Sequence, residues 1–115
     1  MKHIKFAVVL ALSFMSANAF AAAGTSNWAV PTEVRTLNTG IKISGAFGNK
    51  GQCSDTSGAV YVANNSNEYE YIKAMALAAF MAGKEMSFYI IGCEVAVGNG
   101  DMQVVYRSRN VAVRN

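Results

Sequence analysis

The opening stretch of the chain decides what the remainder can become. Lys2 and Lys5 stand ahead of an apolar run of about ten residues, Phe6 to Met15 (FAVVLALSFM), and small residues follow it. Ala17-Asn18-Ala19, Ala19-Phe20-Ala21 and Ala21-Ala22-Ala23 each satisfy the small-residue rule for cleavage. A positive start, a short apolar centre and an A-x-A end are the layout of a secretory signal peptide. A run this short does not comfortably span the ~30 Å hydrocarbon layer. The expectation is therefore a signal over residues 1–21, cut between residues 19 and 24, and a single domain over residues 22–115. No cysteine sits at the junction to take a lipid anchor, and no later stretch reaches eighteen apolar residues, so no membrane span is expected in the mature chain.

Removing this leader changes the chemistry on offer. It takes the only histidine, His3, and two of the ten basic residues, leaving eight basic against seven acidic ones. The sequence pI near 9.0 thus belongs mainly to the leader, and a near-neutral remainder of about 90 residues excludes a strongly basic reader of nucleic acid. Without histidine the commonest general base, metal ligand and nucleophile activator are missing. Glu33, Asp55, Glu94 and Asp101 fall singly and read as solvated charges. Gly45, Gly48 and Gly51 precede no helix, so they form no phosphate loop. No catalytic residue, metal or cofactor is expected, and an enzyme is the weakest class.

Export also decides how the two cysteines read. In an oxidising compartment an even pair reads first as a disulfide, here Cys53–Cys93 in a periplasmic or secreted protein. Closing a loop of about 40 residues contributes about 3–4 kcal/mol in the chain-entropy model, a large increment for a domain whose core alone is marginal.

The elements follow from periodicity. Gly24 to Pro31 reads as a flexible lead-in. Glu33–Leu37 and Ile41–Phe47 alternate with period two around the turn Asn38-Thr39-Gly40. Gly58–Ala63 reads as a short strand, and Glu85–Ile91, Val95–Val97 and Met102–Arg107 as later ones, with a hairpin turn at Gly98-Asn99-Gly100-Asp101 and a terminal piece at Val111–Val113. Between them lies one helix. Asn67 followed by Glu70 fits a capping box. Tyr71 to Ala82 (YIKAMALAAFMA) contains five alanines, the best helix former. Gly83 suits a left-handed end. Ile72, Met75, Ala76, Ala79 and Phe80 form one apolar stripe, yet Ala74, Leu77, Ala78 and Met81 make a second. A helix apolar on nearly all sides is buried on more than one. One small sheet covers one side only, so the second stripe predicts an oligomer interface. The expected fold is mostly β with one helix, in the order β-β-β-α-β-β, as a five-stranded antiparallel barrel, closed or half-closed, with the helix plugging one end.

Two segments carry a resemblance. Tyr71 to Ile90, an Ala-rich helix ending in Ala82-Gly83-Lys84 and feeding a strand, resembles the helix-to-strand unit of small exported OB-fold proteins, including the pentameric B subunits of bacterial A–B toxins of the subtilase-cytotoxin and typhoid-toxin type. Asn27-Trp28, Val34-Arg35-Thr36 and Thr39-Gly40 are similar to the N-terminal strand of that group. Together these cover roughly a third of the mature chain. The resemblance implies an OB-fold barrel, a pentameric ring with helices lining its centre, glycan binding on an outer face and a possible toxin A-type subunit as partner. The sugar-contacting serine of that group lies just before the first strand, where this chain has Pro31-Thr32. Trp28, Thr32 and Arg35 are the ligand-binding residues the resemblance suggests. The chain departs from those subunits in being shorter, with fewer aromatic residues and fewer cysteines. The expected function is an exported, non-enzymatic binding module, oligomeric, that recognises a glycan or protein surface. The alternative is a periplasmic enzyme inhibitor or accessory protein acting as a monomer or dimer.

Overall fold

A computed structural model describes residues 23–95 and 100–115; the leader, and residues 96–99 of the expected hairpin, lie outside the described residues. The order is β1 (Gly24–Thr25), β2 (Glu33–Leu37), β3 (Gly40–Ser44), β4 (Val60–Ala63), α1 (Tyr69–Ala82), β5 (Glu85–Ile90), β6 (Gly92–Val95), β7 (Asp101–Val104) and β8 (Val111–Arg114), with a 3-10 turn at Ser108–Asn110. The described chain is mostly β with one α-helix, and none of its helices is long and apolar enough to cross a membrane.

The strands form two open sheets, ordered β1-β5-β8 and β2-β3-β4-β7-β6. The expected antiparallel barrel is corrected on two counts. First, β5 and β6 are one stretch of chain broken only at Ile91, where the backbone leaves the three-stranded sheet and becomes an edge of the five-stranded one. Such a corner joins two sheets instead of closing one. Second, β4 and β7 pair in parallel, Val60 opposite Gln103 and Tyr61 opposite Val104. The long connection through α1, β5 and β6 brings the chain back in the same direction, as a parallel pair requires.

Local signals account for much of the rest. The Glu33–Leu37 strand pairs with β3 in a register that leaves Asn38-Thr39 as a two-residue turn between Leu37 and Gly40. That turn is held against β4, because the Tyr61 hydroxyl lies 2.6 Å from Thr39 Oγ1 and Asn64 N–H donates to the Thr39 carbonyl at 2.7 Å. A Cβ at Gly40 would stand 2.1 Å from the Val62 carbonyl oxygen, so only glycine permits this approach.

The lead-in is not a free tail. β1 pairs with β5, Ser26 is buried, and Ser26 Oγ accepts from Phe88 N–H at 2.9 Å. Ala29 and Met86 exchange backbone bonds of 3.0 and 2.8 Å, so the segment entering β2 runs along β5.

The core lies between the sheets and the inner side of α1. Ile41, Ile43, Val60 and Val62 face Ile72, Ala76 and Ala79, and Met86, Phe88 and Ile90 complete it from β5. Phe47 meets Phe88 edge to face, centroids 5.0 Å apart. Full burial of side chains of this kind stabilises by about 1.5–3 kcal/mol each. The helix ends as expected, Gly83 taking φ 68° and its neighbour's amide, Lys84 N–H, bonding the Ala79 carbonyl at 2.9 Å. Its start differs. Helix residues begin at Tyr69, Glu68 is the cap residue, and no side chain caps it, so the Asn67–Glu70 capping box does not form. Glu68 instead turns its carboxylate to the Ser108 amide.

Candidate functional site

The disulfide is present, Cys53 to Cys93, with Cα atoms 5.8 Å apart. It ties the loop after β3 to the edge strand β6, and further bonds hold the same loop. Buried Gln103 on β7 accepts from Gly51 N–H at 3.2 Å and donates to the Gly48 carbonyl at 2.6 Å. Asn49 bonds Cys53 twice, donating to its carbonyl at 2.8 Å and accepting its amide at 3.1 Å. Asp101 accepts from Ser54 N–H at 2.6 Å, and Ser54 Oγ accepts the Asp101 amide at 2.9 Å. The Ser54 bonds hold the Asp101 carboxyl below its ordinary range, and the Ser57 amide does the same for Asp55. Gln52, exposed, sits in the left-handed region at φ 55°. A polar cleft of about 340 Å³ lies against this loop, with Ser26, Asn27, Asn49, Lys50 and Gln52 among its walls.

A larger cleft, about 440 Å³, is lined by Asn65, Ser66, Asn67, Glu68, Glu94, Tyr106 and Arg107. The parallel pairing explains it. Because β4 and β7 run the same way, they finish at the same end of the sheet, and the segments that follow each of them converge there. Glu94 comes from the neighbouring strand β6, opposite Met102. The Tyr106 hydroxyl donates to the Glu94 carboxylate, and this bond pushes the phenol up to about 12. Across the cleft the Ser108 amide holds the Glu68 carboxyl below its ordinary value. Ser66 Oγ is buried without a hydrogen-bond partner. The walls thus offer amides, a phenol, carboxylates and a guanidinium within one concavity, a mixture of donors and acceptors that suits a hydroxyl-rich or peptide-like ligand.

Trp28 lies elsewhere. Its ring stacks under the Arg114 guanidinium at 4.0 Å, and Arg114 Nε also bonds Glu85 at 2.9 Å. With Thr25, Tyr89, Arg109 and Asn110 it lines a third, smaller cleft of about 200 Å³. Thr32 is exposed and its amide bonds the Ser44 carbonyl at 2.8 Å. Arg35 pairs with Glu33 on the same strand at 2.9 Å. Neither Thr32 nor Arg35 lines any of the three clefts, so Trp28, Thr32 and Arg35 are not gathered into one site. Among the described residues no three His, Cys, Asp or Glu side chains come together as a metal site.

The second apolar stripe of α1 is on the outside. Leu77 is 39% and Met81 83% exposed, and Ala74 and Ala78 are exposed beside them. Phe80, expected on the inner stripe, is also exposed, at 42%; the buried line narrows to Ile72, Ala76 and Ala79.

The large cleft escaped the sequence reading. Asn64 to Asn67 is a polar cluster between a strand and a helix, and Tyr106-Arg107 the end of an expected strand. The only signal was the Tyr-Arg pair at a strand terminus, and nothing local announces that it meets a turn forty residues upstream. Comparison with protein-family models, with curated proteins and with solved structures found no match for this chain.

Proposed function

We propose that this chain is an exported, non-enzymatic binding module that recognises a glycan or protein surface as an assembly of copies. The observation that carries the reading is the cleft between Asn65–Glu68 and Tyr106-Arg107, a polar concavity walled by an aromatic ring, two amides and charges of both signs. Planar amides beside a phenol held by Glu94 match vicinal hydroxyls in the way sugar-binding surfaces do. The Cys53–Cys93 disulfide is compatible with export. A five-stranded sheet with α1 entering between its third and fourth strands in chain order supports the likeness to toxin B subunits, as does the exposed apolar stripe of the helix.

Glycan-array screening of the purified protein, followed by calorimetric titration with any glycan found, tests the ligand. Tyr106→Ala and Arg107→Ala, both at exposed positions, are expected to abolish binding while the circular-dichroism spectrum and melting temperature stay close to wild type. Binding unchanged in both variants would remove the cleft from the account.

The inhibitor reading has its own observation. The loop 48–57 is braced on several sides and presents Lys50 and Gln52 outward, which is how a protein blocks another's cleft without losing entropy on binding. A stoichiometric protein partner lost on Lys50→Ala and Gln52→Ala, together with no glycan signal, favours it.

A further inference from the structure

We infer that the open edge of β8 takes an extended, acidic segment of another protein as a further strand of the β1-β5-β8 sheet. The residues around this edge share none with the walls of the Tyr106 cleft, and the inference does not rest on that cleft's ligand.

The backbone decides the kind of occupant. On β5, Met86 and Phe88 turn their polar groups towards the lead-in: Met86 N–H donates to the Ala29 carbonyl at 2.8 Å, and Ser26 N–H to the Phe88 carbonyl at 2.7 Å. Glu85 and Ser87 therefore exchange bonds with their partners Arg114 and Ala112. Val111 and Val113, opposite Phe88 and Met86, turn their polar groups to the far side. Val111 N–H goes back to the Ser108 carbonyl. The Val111 carbonyl and both polar groups of Val113 have no partner among the described residues. β8 is the last strand of its sheet, and such an unpaired row is completed by an added strand. The Val113 side chain shares the inner face with buried Met86 yet is 37% exposed, so an apolar residue paired with it gains burial.

The outer face decides the charge. Arg114 stands there over Trp28, giving only its Nε–H to Glu85. The cleft shared by Trp28, Tyr89 and Arg109 has no carboxylate in its walls, and Arg109 is in no ion pair among the described residues. An added strand sets alternate side chains on this face, beside Asn110, Ala112 and Arg114. Acidic residues at those positions meet Arg114 at one end and Arg109 at the other.

A second copy does not supply them. Two β8 strands paired about a two-fold axis would gather both copies' Arg109 and Arg114 along one ladder. Among the other edges, β1 has no acid, β2 has Glu33 paired with Arg35, and β6 has Glu94 bonded by Tyr106. The occupant is a segment of a different chain that alternates acidic with apolar residues.

The test titrates the isotope-labelled, full purified protein with a capped peptide of about nine alternating glutamate and valine residues, followed by nuclear magnetic resonance. The expected result is a shift of the Val113 amide and of the indole N–H of Trp28, the chain's one tryptophan, below about 1 mM peptide. A peptide with lysine for glutamate, or with proline at its centre, is expected to bind roughly tenfold more weakly or not at all. Val113→Pro removes an N–H that faces the open edge, so it should keep the fold and lose the peptide. Arg109→Glu should weaken the acidic peptide by roughly threefold to tenfold and favour the lysine one. No shift by about 1 mM, shifts that avoid β8, equal binding of the lysine peptide, or binding that survives proline in the peptide each overturn the inference. So does a Val113 amide already protected from exchange in the free protein, because another strand, a second copy's included, would then hold the edge.

Discussion

Around Cys53 the backbone of residues 48–57 is held by a disulfide, by the buried Gln103 amide, by both ends of the Asn49 side chain and by the Ser54–Asp101 exchange. Along the outer side of α1, by contrast, Leu77 and Met81 stand in solvent between exposed alanines. The loop has few apolar side chains and gains its order from polar groups that satisfy one another. The helix has many apolar side chains, and the core takes only Ile72, Ala76 and Ala79 in full. The difference is one of supply. A domain this small offers too little sheet to cover two faces of one helix, while a loop without regular structure must find partners for every buried backbone group. Order inside a chain and order between chains are therefore expected to respond to different changes.

The largest expected effect is on the loop. Replacing Cys53 and Cys93 together by Ala should cost about 3–4 kcal/mol, read from the urea midpoint at constant protein concentration. Gln103→Ala follows, at about 1–3 kcal/mol, because it leaves the buried Gly51 amide unpaired and frees the half-buried Gly48 carbonyl. Equality of Gln103→Ala with wild type would show that the loop is not held from β7.

Acid should loosen the same region. The Ser54 bonds depress the Asp101 pKa in the folded state, so their contribution is full above the unfolded carboxylate value of about 3.9 and is lost as pH falls through the lower folded value. Asp101→Asn is expected to flatten the fall in melting temperature over that acid range. An unchanged slope would detach Asp101 from the loop's stability. Smallest of all, Met81→Glu should shift the stability of the single chain by no more than about 0.5 kcal/mol, the usual range for an exposed site, because Met81 is 83% exposed. A larger loss in a dilute sample would mean that Met81 packs against its own chain.

What the sequence made legible was local or covalent. The strand Glu33–Leu37, the Gly83 helix end and the pairing of the only two cysteines all survive in the structure. Burial along that strand does not alternate, Glu33 and Val34 both being half-buried and Arg35 and Thr36 both exposed. The strand at Gly58–Ala63 shortens to Val60–Ala63 but stays in place. What was not legible depends on partners distant in sequence. Ser26 and Ala29 look like a tail until β5 lies beside them. Glu68 looks like a helix-start charge, yet its carboxylate goes to Ser108. The large cleft exists because β4 and β7 run parallel, and the parallel sense is set by the path through α1 and the corner at Ile91, which no period-two pattern encodes. Trp28, Thr32 and Arg35 are close in sequence but divided in space, since β2 turns away along β3 while Trp28 stays beside β5.

The contrast between the two regions is tested most directly by hydrogen–deuterium exchange followed at rising protein concentration. The account predicts that amides along α1 exchange more slowly as concentration increases, while the protected amides of Gly51, Cys53 and Ser54 keep the same rates throughout. Protection of α1 that does not change with concentration, up to tens of micromolar, would contradict it.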